Sequence, residues 1–134
     1  MFRQIRCVAL VLLCALGSAP ASAADLSRLQ DWCAAVTARI ASVSAANCLA
    51  ADLRAGDGRS VRGVPIWHRD FEPRVEPALL KVLVLGGIHG DEAASVSLVF
   101  DWIARMRRSD ADRVHWRMAP LVNPDGLLRR PATR

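Results

Sequence analysis

"ALLKVLVLGGIHGDEAASVSLVFDWIARM", residues 78 to 106, changes its apolar period halfway along, and that change decides the fold. Residues 78–87 are nearly continuous Leu and Val, closed by Gly86 and Gly87. A run this short and bounded by glycine reads as a strand, and its unbroken apolar character as a strand buried on both faces. From residue 92 to 106 the pattern turns helical, with Val96, Val99, Phe100, Ile103 and Met106 on one face and Asp101 and Arg105 off it. "RVHWRMAPLV", 113–122, returns to strand. Strand, helix and strand at this spacing predict a right-handed parallel crossover, and so an α/β sheet flanked by helices.

Upstream, a helix is expected over Leu26 to Ala41, with Leu26, Leu29, Cys33, Val36 and Ile40 as its apolar stripe. An alanine-rich segment follows to about Leu53 and has room for a second short helix. "RAGDGRSVRG", 54–63, holds three glycines and reads as a turn region, and "VPIWHRDF", 64–71, as a strand with Pro65 near its start. Pro73 and Pro77 bracket a loop. With 134 residues the chain has room for one domain at most. The expected division is a leader over 1–23, a helical segment over 24–57 and a catalytic-type unit over 58–134.

The leader reading rests on three regions. Arg3 and Arg6 form a basic start, Cys7 to Leu16 an apolar core, and Ala21-Ser22-Ala23 an A-x-A cleavage signal. The apolar core is about half the roughly 20 residues a membrane anchor needs. A lipid anchor on Cys14 is disfavoured by Leu13, which stands where a small residue belongs. The chain is therefore expected in the periplasm or secreted, with no membrane attachment after cleavage. Its net charge of +5 falls to about +3 once Arg3 and Arg6 leave, and the remaining arginines form no block, which argues against a nucleic-acid partner.

Export places Cys33 and Cys48 in an oxidising compartment and makes them candidates for a disulfide. One unbroken helix from Leu26 to Asn47 would hold them about 22 Å apart, whereas a bond needs α-carbons within about 7 Å. Bonding requires the chain to turn back near Ser42 to Asn47. The competing reading leaves Cys33 simply buried on the helical stripe; an exported chain with two remaining cysteines favours the bond.

In an open parallel sheet, ligands bind beyond the carboxyl ends of the strands. His89 and Glu92 stand just past the first parallel strand, and Asn123 to Gly126 just past the second, so both face one edge. Gly86 and Gly87 allow a tight exit, and Asp91 can cap a helix beginning at Glu92. An imidazole and a carboxylate three positions apart at a helix start can point at one spot, and both are donors zinc accepts. Spacing alone is a weak signal, because glutamate at a helix start is favoured independently by the macrodipole. "NPDG", 123–126, reads by composition as a type I turn.

"GRSVRGVPI" at 58–66, "GGIHGDE" at 86–92 and "LVNPDGLLRR" at 121–130, in that order, resemble the zinc carboxypeptidase superfamily, most closely its bacterial murein peptide amidase branch. The likeness covers about residues 58 to 130. It implies an N-terminal part of that family's mixed or parallel sheet, with His89 and Glu92 as the first two ligands of Zn2+ and a peptide or murein peptide as substrate. The related aspartoacylase and succinylglutamate desuccinylase group, a deacylase alternative, usually lacks the Asp-Gly that Asp125 and Gly126 supply. A non-catalytic exported fragment is the third reading.

The family's third ligand, a histidine, and its catalytic glutamate come from far downstream, and neither can be matched in the roughly forty residues after Glu92. The resemblance implies that the general-base glutamate belongs downstream of Arg134, the last residue here. His115 lies at the start of the strand that ends near Asn123, about 26 Å from the site edge at 3.3 Å per residue. His68 is not excluded by position, but it sits mid-strand between Trp67 and Arg69. No catalytic base is assigned within the chain, which is expected to be inactive alone.

Overall fold

The computed structural model describes residues 23–107 and 113–133. The proposed leader, apart from Ala23, lies outside the described residues. So does Arg134, the position beyond which the base is expected, and that expectation is neither met nor contradicted by the fold. Among the described residues no helix is long and apolar enough to cross a membrane.

Four strands, β1 (Arg54–Arg59), β2 (Pro65–Phe71), β3 (Leu80–Leu85) and β4 (Val114–Ala119), form one mixed sheet in the order β1-β2-β4-β3. The expected parallel pairing is present: β3 and β4 run parallel in the register Leu80↔Val114 to Leu85↔Ala119, joined through helix α3 (Ala93–Met106). β2 is antiparallel to both β1 and β4. Two helices precede the sheet, α1 (Ala23–Thr37) and α2 (Ala45–Ala50), and a single-turn helix α4 (Pro124–Leu128) follows β4.

β1 corrects the reading of residues 54–63 as a turn region. Its glycines lower strand propensity, yet antiparallel pairing with β2 supplies what propensity does not. An added Cβ at Gly56 would stand 3.0 Å from the Ile66 carbonyl oxygen, so glycine here permits the close approach, and the register slips between Ala55 and Arg59 as at a β-bulge. The turn proper is Ser60 to Gly63, where Gly63 takes φ +81°.

β3 also departs from expectation. It lies at the edge of the sheet, and Leu80, Leu83 and Leu85 are exposed, so it is not buried on both faces. The face opposite Leu83 and Leu85 meets the core through Val84. There Val84, Trp116 and Met118 pack with Trp67 of β2 and with Val96, Val99, Phe100 and Ile103 of α3, the stripe read from the helical period.

α1 ends at Thr37, four residues before the predicted stop. The chain then turns, and Ser44 caps α2 by accepting a hydrogen bond from the Asn47 amide at 3.1 Å. This reversal brings Cys33 and Cys48 together with Cα atoms 5.8 Å apart, and they form a disulfide. Both are fully buried, beside Leu29, Trp32, Val36 and Ile40, whereas Leu26 is exposed and does not join the stripe.

Candidate metal centre

The pairing of β3 with β4 continues past both strand ends. The Gly86 amide donates to Ala119 O at 2.9 Å, Val122 N to Gly86 O at 3.0 Å, and Asn123 N to Gly87 O at 3.0 Å. These bonds carry residues 120–123 alongside the start of the 86–92 loop. Gly86 fits because an added Cβ would lie 2.5 Å from the Pro120 carbonyl oxygen, and Gly87 takes φ +57°. Asn123 then uses both ends of its amide, donating through Nδ2 to Ile88 O at 3.2 Å and accepting through Oδ1 from Gly126 N at 2.9 Å.

The two glycine-containing motifs meet at Gly90. A Cβ placed there would fall 2.1 Å from the Gly126 carbonyl carbon and 2.3 Å from Leu127 N, all backbone atoms that cannot turn aside. The contact is laced by Gly90 N donating to Thr133 O at 2.9 Å and Thr133 N donating to Gly126 O at 3.0 Å. A backbone clamp therefore fixes the position of His89 against α4.

His89 Nδ1 lies 2.9 Å from Glu92 Oε1, and both side chains are about half exposed. An ionised carboxylate only accepts, so with Glu92 charged the bond places a proton on Nδ1. Glu92 sits at the N-cap position of α3 and makes no side-chain cap bond, which leaves its carboxylate for His89. The helix thus begins at Ala93, and Asp91, expected as the cap, stands one residue outside that position. Ser95 does local work that the sequence did not disclose: its Oγ donates to Glu92 O and accepts from Gly87 N, each at 2.9 Å, and so ties the loop to the helix.

Asp125 is a structural anchor at this edge. Its Oδ1 accepts from Ser60 Oγ at 2.8 Å and its Oδ2 from Arg62 N at 3.0 Å, joining α4 to the turn between β1 and β2. Ser60 Oγ in turn accepts from Val64 N at 3.1 Å. The first and third sequence motifs are in contact through this pair. NPDG itself opens α4, with Asn123 as cap and Pro124 at its start, where the type I turn reading expected only a turn.

Neither remaining histidine joins His89 and Glu92. His68 Nε2 is 3.3 Å from Asp70 Oδ2. His115 pairs with Lys81 at the start of the parallel ladder, the far end from the loop, and its Nε2 is 3.5 Å from Asp70 and 3.8 Å from Glu72. Asp70, Glu72 and His115 are the one group of three potential metal donors among the described residues. Arg117 already grips Asp70 there with two bonds of 2.7 and 2.9 Å, and this guanidinium holds the Asp70 carboxyl below its ordinary value. A cation would have to displace a guanidinium from that carboxylate, so the group reads as a closed ion-pair cluster.

The His89–Glu92 pair thus stands exposed at the carboxyl edge of the two parallel strands. A family model described as zinc carboxypeptidase matches residues 55–130, more than half the chain, and the chain belongs to that family. Comparison with curated proteins and with solved structures gives no match. The residues present fit the family's metal: His89 Nδ1, once freed of the proton it shares with Glu92, and Glu92 Oε1 stand 2.9 Å apart, a separation that two donors with bonds of about 2.0–2.2 Å to one zinc ion can span.

Proposed function

We propose that this chain carries the first half of the metal site of an exported zinc peptidase that cleaves peptide or amide bonds, with murein peptides as the substrate class. The observation that carries the reading is the His89–Glu92 pair, held by the Gly90–Gly126 clamp at the carboxyl edge of two parallel strands. Zinc bound there would polarise a scissile carbonyl and lower the pKa of a bound water. His89 and Glu92 are its ligands, and Asn123 and Ser95 hold the loop that presents them.

Export is supported by the leader pattern and by the Cys33–Cys48 bond, which suits an oxidising compartment. Asp125, whose two bonds tie NPDG to the β1–β2 turn, supports the peptidase side over the deacylase group. Two protein ligands make a weaker site than three. None of the residues up to Arg134 is assigned as the base. The chain by itself is accordingly expected to bind zinc weakly and to leave a murein tripeptide uncut.

Zinc titration by calorimetry tests the site directly. One equivalent should bind to the wild type and be lost in both His89→Ala and Glu92→Gln, while His115→Ala leaves it intact. Zinc binding that survives His89→Ala but vanishes in His115→Ala would place the metal in the wrong cluster and sink the proposal. Chelator-sensitive release of diaminopimelate by the purified chain would overturn its expected inactivity.

A further inference from the structure

A helix as short as α4 does not hold itself, and the backbone carbonyls at its C-terminal end have no partner within it. Gly126 O takes the Thr133 amide as part of the clamp on Gly90. The Leu127 and Arg129 carbonyls both go to one side chain, Arg39, which stands 88 and 90 positions earlier in the chain. Its Nε donates to Leu127 O at 3.1 Å and its Nη2 to Arg129 O. A guanidinium presents its N–H groups as a rigid planar fork, and its positive charge suits the negative end of a helix.

Arg39 is itself held in place. Its amide donates to Val36 O at 2.9 Å where α1 runs out, and Ile40 and Val43, which follow it, are buried. Ser42 Oγ lies 2.6 Å from Ser97 Oγ and ties the same turn to α3. The Cys33–Cys48 disulfide closes the loop in which Arg39 and Ser42 stand. Arg39 therefore projects from a turn anchored on α1, on α3 and by a covalent bond. It precedes the family match, which begins at residue 55.

We propose that Arg39 is a positioning residue for the His89–Glu92 pair, acting through α4. The path is short and continuous: Arg39 holds the C-terminal end of α4, Gly126 of α4 meets the backbone of Gly90, and Gly90 adjoins His89. Asn123 and Asp125 fasten the other end of α4, to Ile88 O and to the β1–β2 turn. Loss of Arg39 thus frees only the end that backs the clamp. The disulfide-bonded segment ahead of the sheet becomes part of what orders the site. The inference rests on the proposed zinc site for what the ordered pair does, whereas the ordering itself is measured without metal.

Amide hydrogen exchange, followed by NMR on the whole chain in chelator, is the first measurement. Arg39→Met should speed exchange at Gly90 and Thr133 by at least about tenfold, the loss of a charge-assisted bond, while the Gly86 amide, bonded across the β3–β4 pair, changes by less than about twofold. Arg39→Lys returns a cationic donor without the fork and should recover part of the protection. Arg107→Met is the matched control, because Arg107 donates to Ala50 O and joins the same N-terminal segment to the far end of α3. It should lower the melting temperature comparably and leave Gly90 and Thr133 protected. In a zinc titration by calorimetry, Kd should rise about tenfold in Arg39→Met and stay within about twofold of wild type in Arg107→Met.

Unchanged exchange at Gly90 and Thr133 in Arg39→Met overturns the inference. So does equal acceleration at Gly86, the mark of general destabilisation, and so does a failure of Arg39→Lys to recover any protection, since charged capping would then not be the cause. If zinc binds wild type and Arg39→Met with the same Kd, the metal site stands and Arg39 does not position it. If the wild type binds no zinc, the metal reading falls, and the exchange pattern alone supports or overturns the hold of Arg39 on the pair.

Discussion

Gly90→Ala is the sharpest perturbation of the His89–Glu92 edge, because it alters no charge and no donor. Its added methyl would start 2.1 Å from the Gly126 carbonyl carbon, 2.3 Å from Leu127 N and 2.5 Å from the Gly126 Cα. All three are backbone, so relief requires the 86–92 loop and α4 to move apart. Overpacking of this kind costs about 1–3 kcal/mol. Separation also stretches the Gly90–Thr133 and Thr133–Gly126 hydrogen bonds, worth about 0.5–1.5 kcal/mol each. A total of about 2–6 kcal/mol corresponds to a melting temperature lowered by at least about 8 °C in a domain of this size. Thermal unfolding followed by circular dichroism reads it, and zinc affinity should fall with it because His89 is the adjacent residue. Gly63→Ala is the contrast: Gly63 has φ +81° and nothing within 4 Å of an added Cβ, so its cost is backbone strain alone, about 1–2 kcal/mol, with no change in zinc affinity. A Gly90→Ala protein that melts within about 2 °C of wild type would refute the clamp.

Asp125→Asn keeps the shape but presents an amide donor to either Ser60 or the Arg62 N–H; a loss of about 1–3 kcal/mol is expected, with faster hydrogen exchange at the Arg62 and Val64 amides as its signature. Replacing Cys33 and Cys48 together by serine opens a closed loop with a sequence separation of 15, and the urea midpoint should drop by the equivalent of about 3 kcal/mol. The Asp70 carboxyl is held below 3.8 chiefly by its hydrogen bond from Arg117. A depressed carboxylate contributes stability above its unfolded value and loses it as pH falls through the folded one. Asp70→Asn should therefore be less stable than wild type at neutral pH, by about 0.5–1 kcal/mol after allowing for the half-exposed Arg117, and the difference should close on acidification below 3.8. Urea titrations at several pH values check the sign, and a gap that widens in acid would contradict it.

Much of the architecture was legible because apolar period reports directly on the backbone. The switch from continuous Leu and Val to a 3.6-residue repeat marked out β3, α3 and β4, and their parallel relation followed from the length of the connection. β1 was not legible. A strand of Arg, Asp and Gly carries no apolar alternation, and only its ladder with β2 makes it one. The exposure of Leu80, Leu83 and Leu85 was hidden for the opposite reason: composition says a residue is apolar, not whether a neighbouring layer covers it.

The chain's local order also determined the site's inventory. It placed His89 and Glu92 three residues apart at a strand end, and put NPDG beyond the next strand. What tertiary structure alone decided is which atoms those motifs use on one another. Gly90 is required because Gly126, 36 positions later, brings its backbone to the same point; Asp125 bonds Ser60, separated by 65 positions. His115 goes to Asp70 and Glu72 at the far end of the sheet. Such contacts depend on the summed path of two strands and a helix, and no local propensity encodes a distance accumulated over that path.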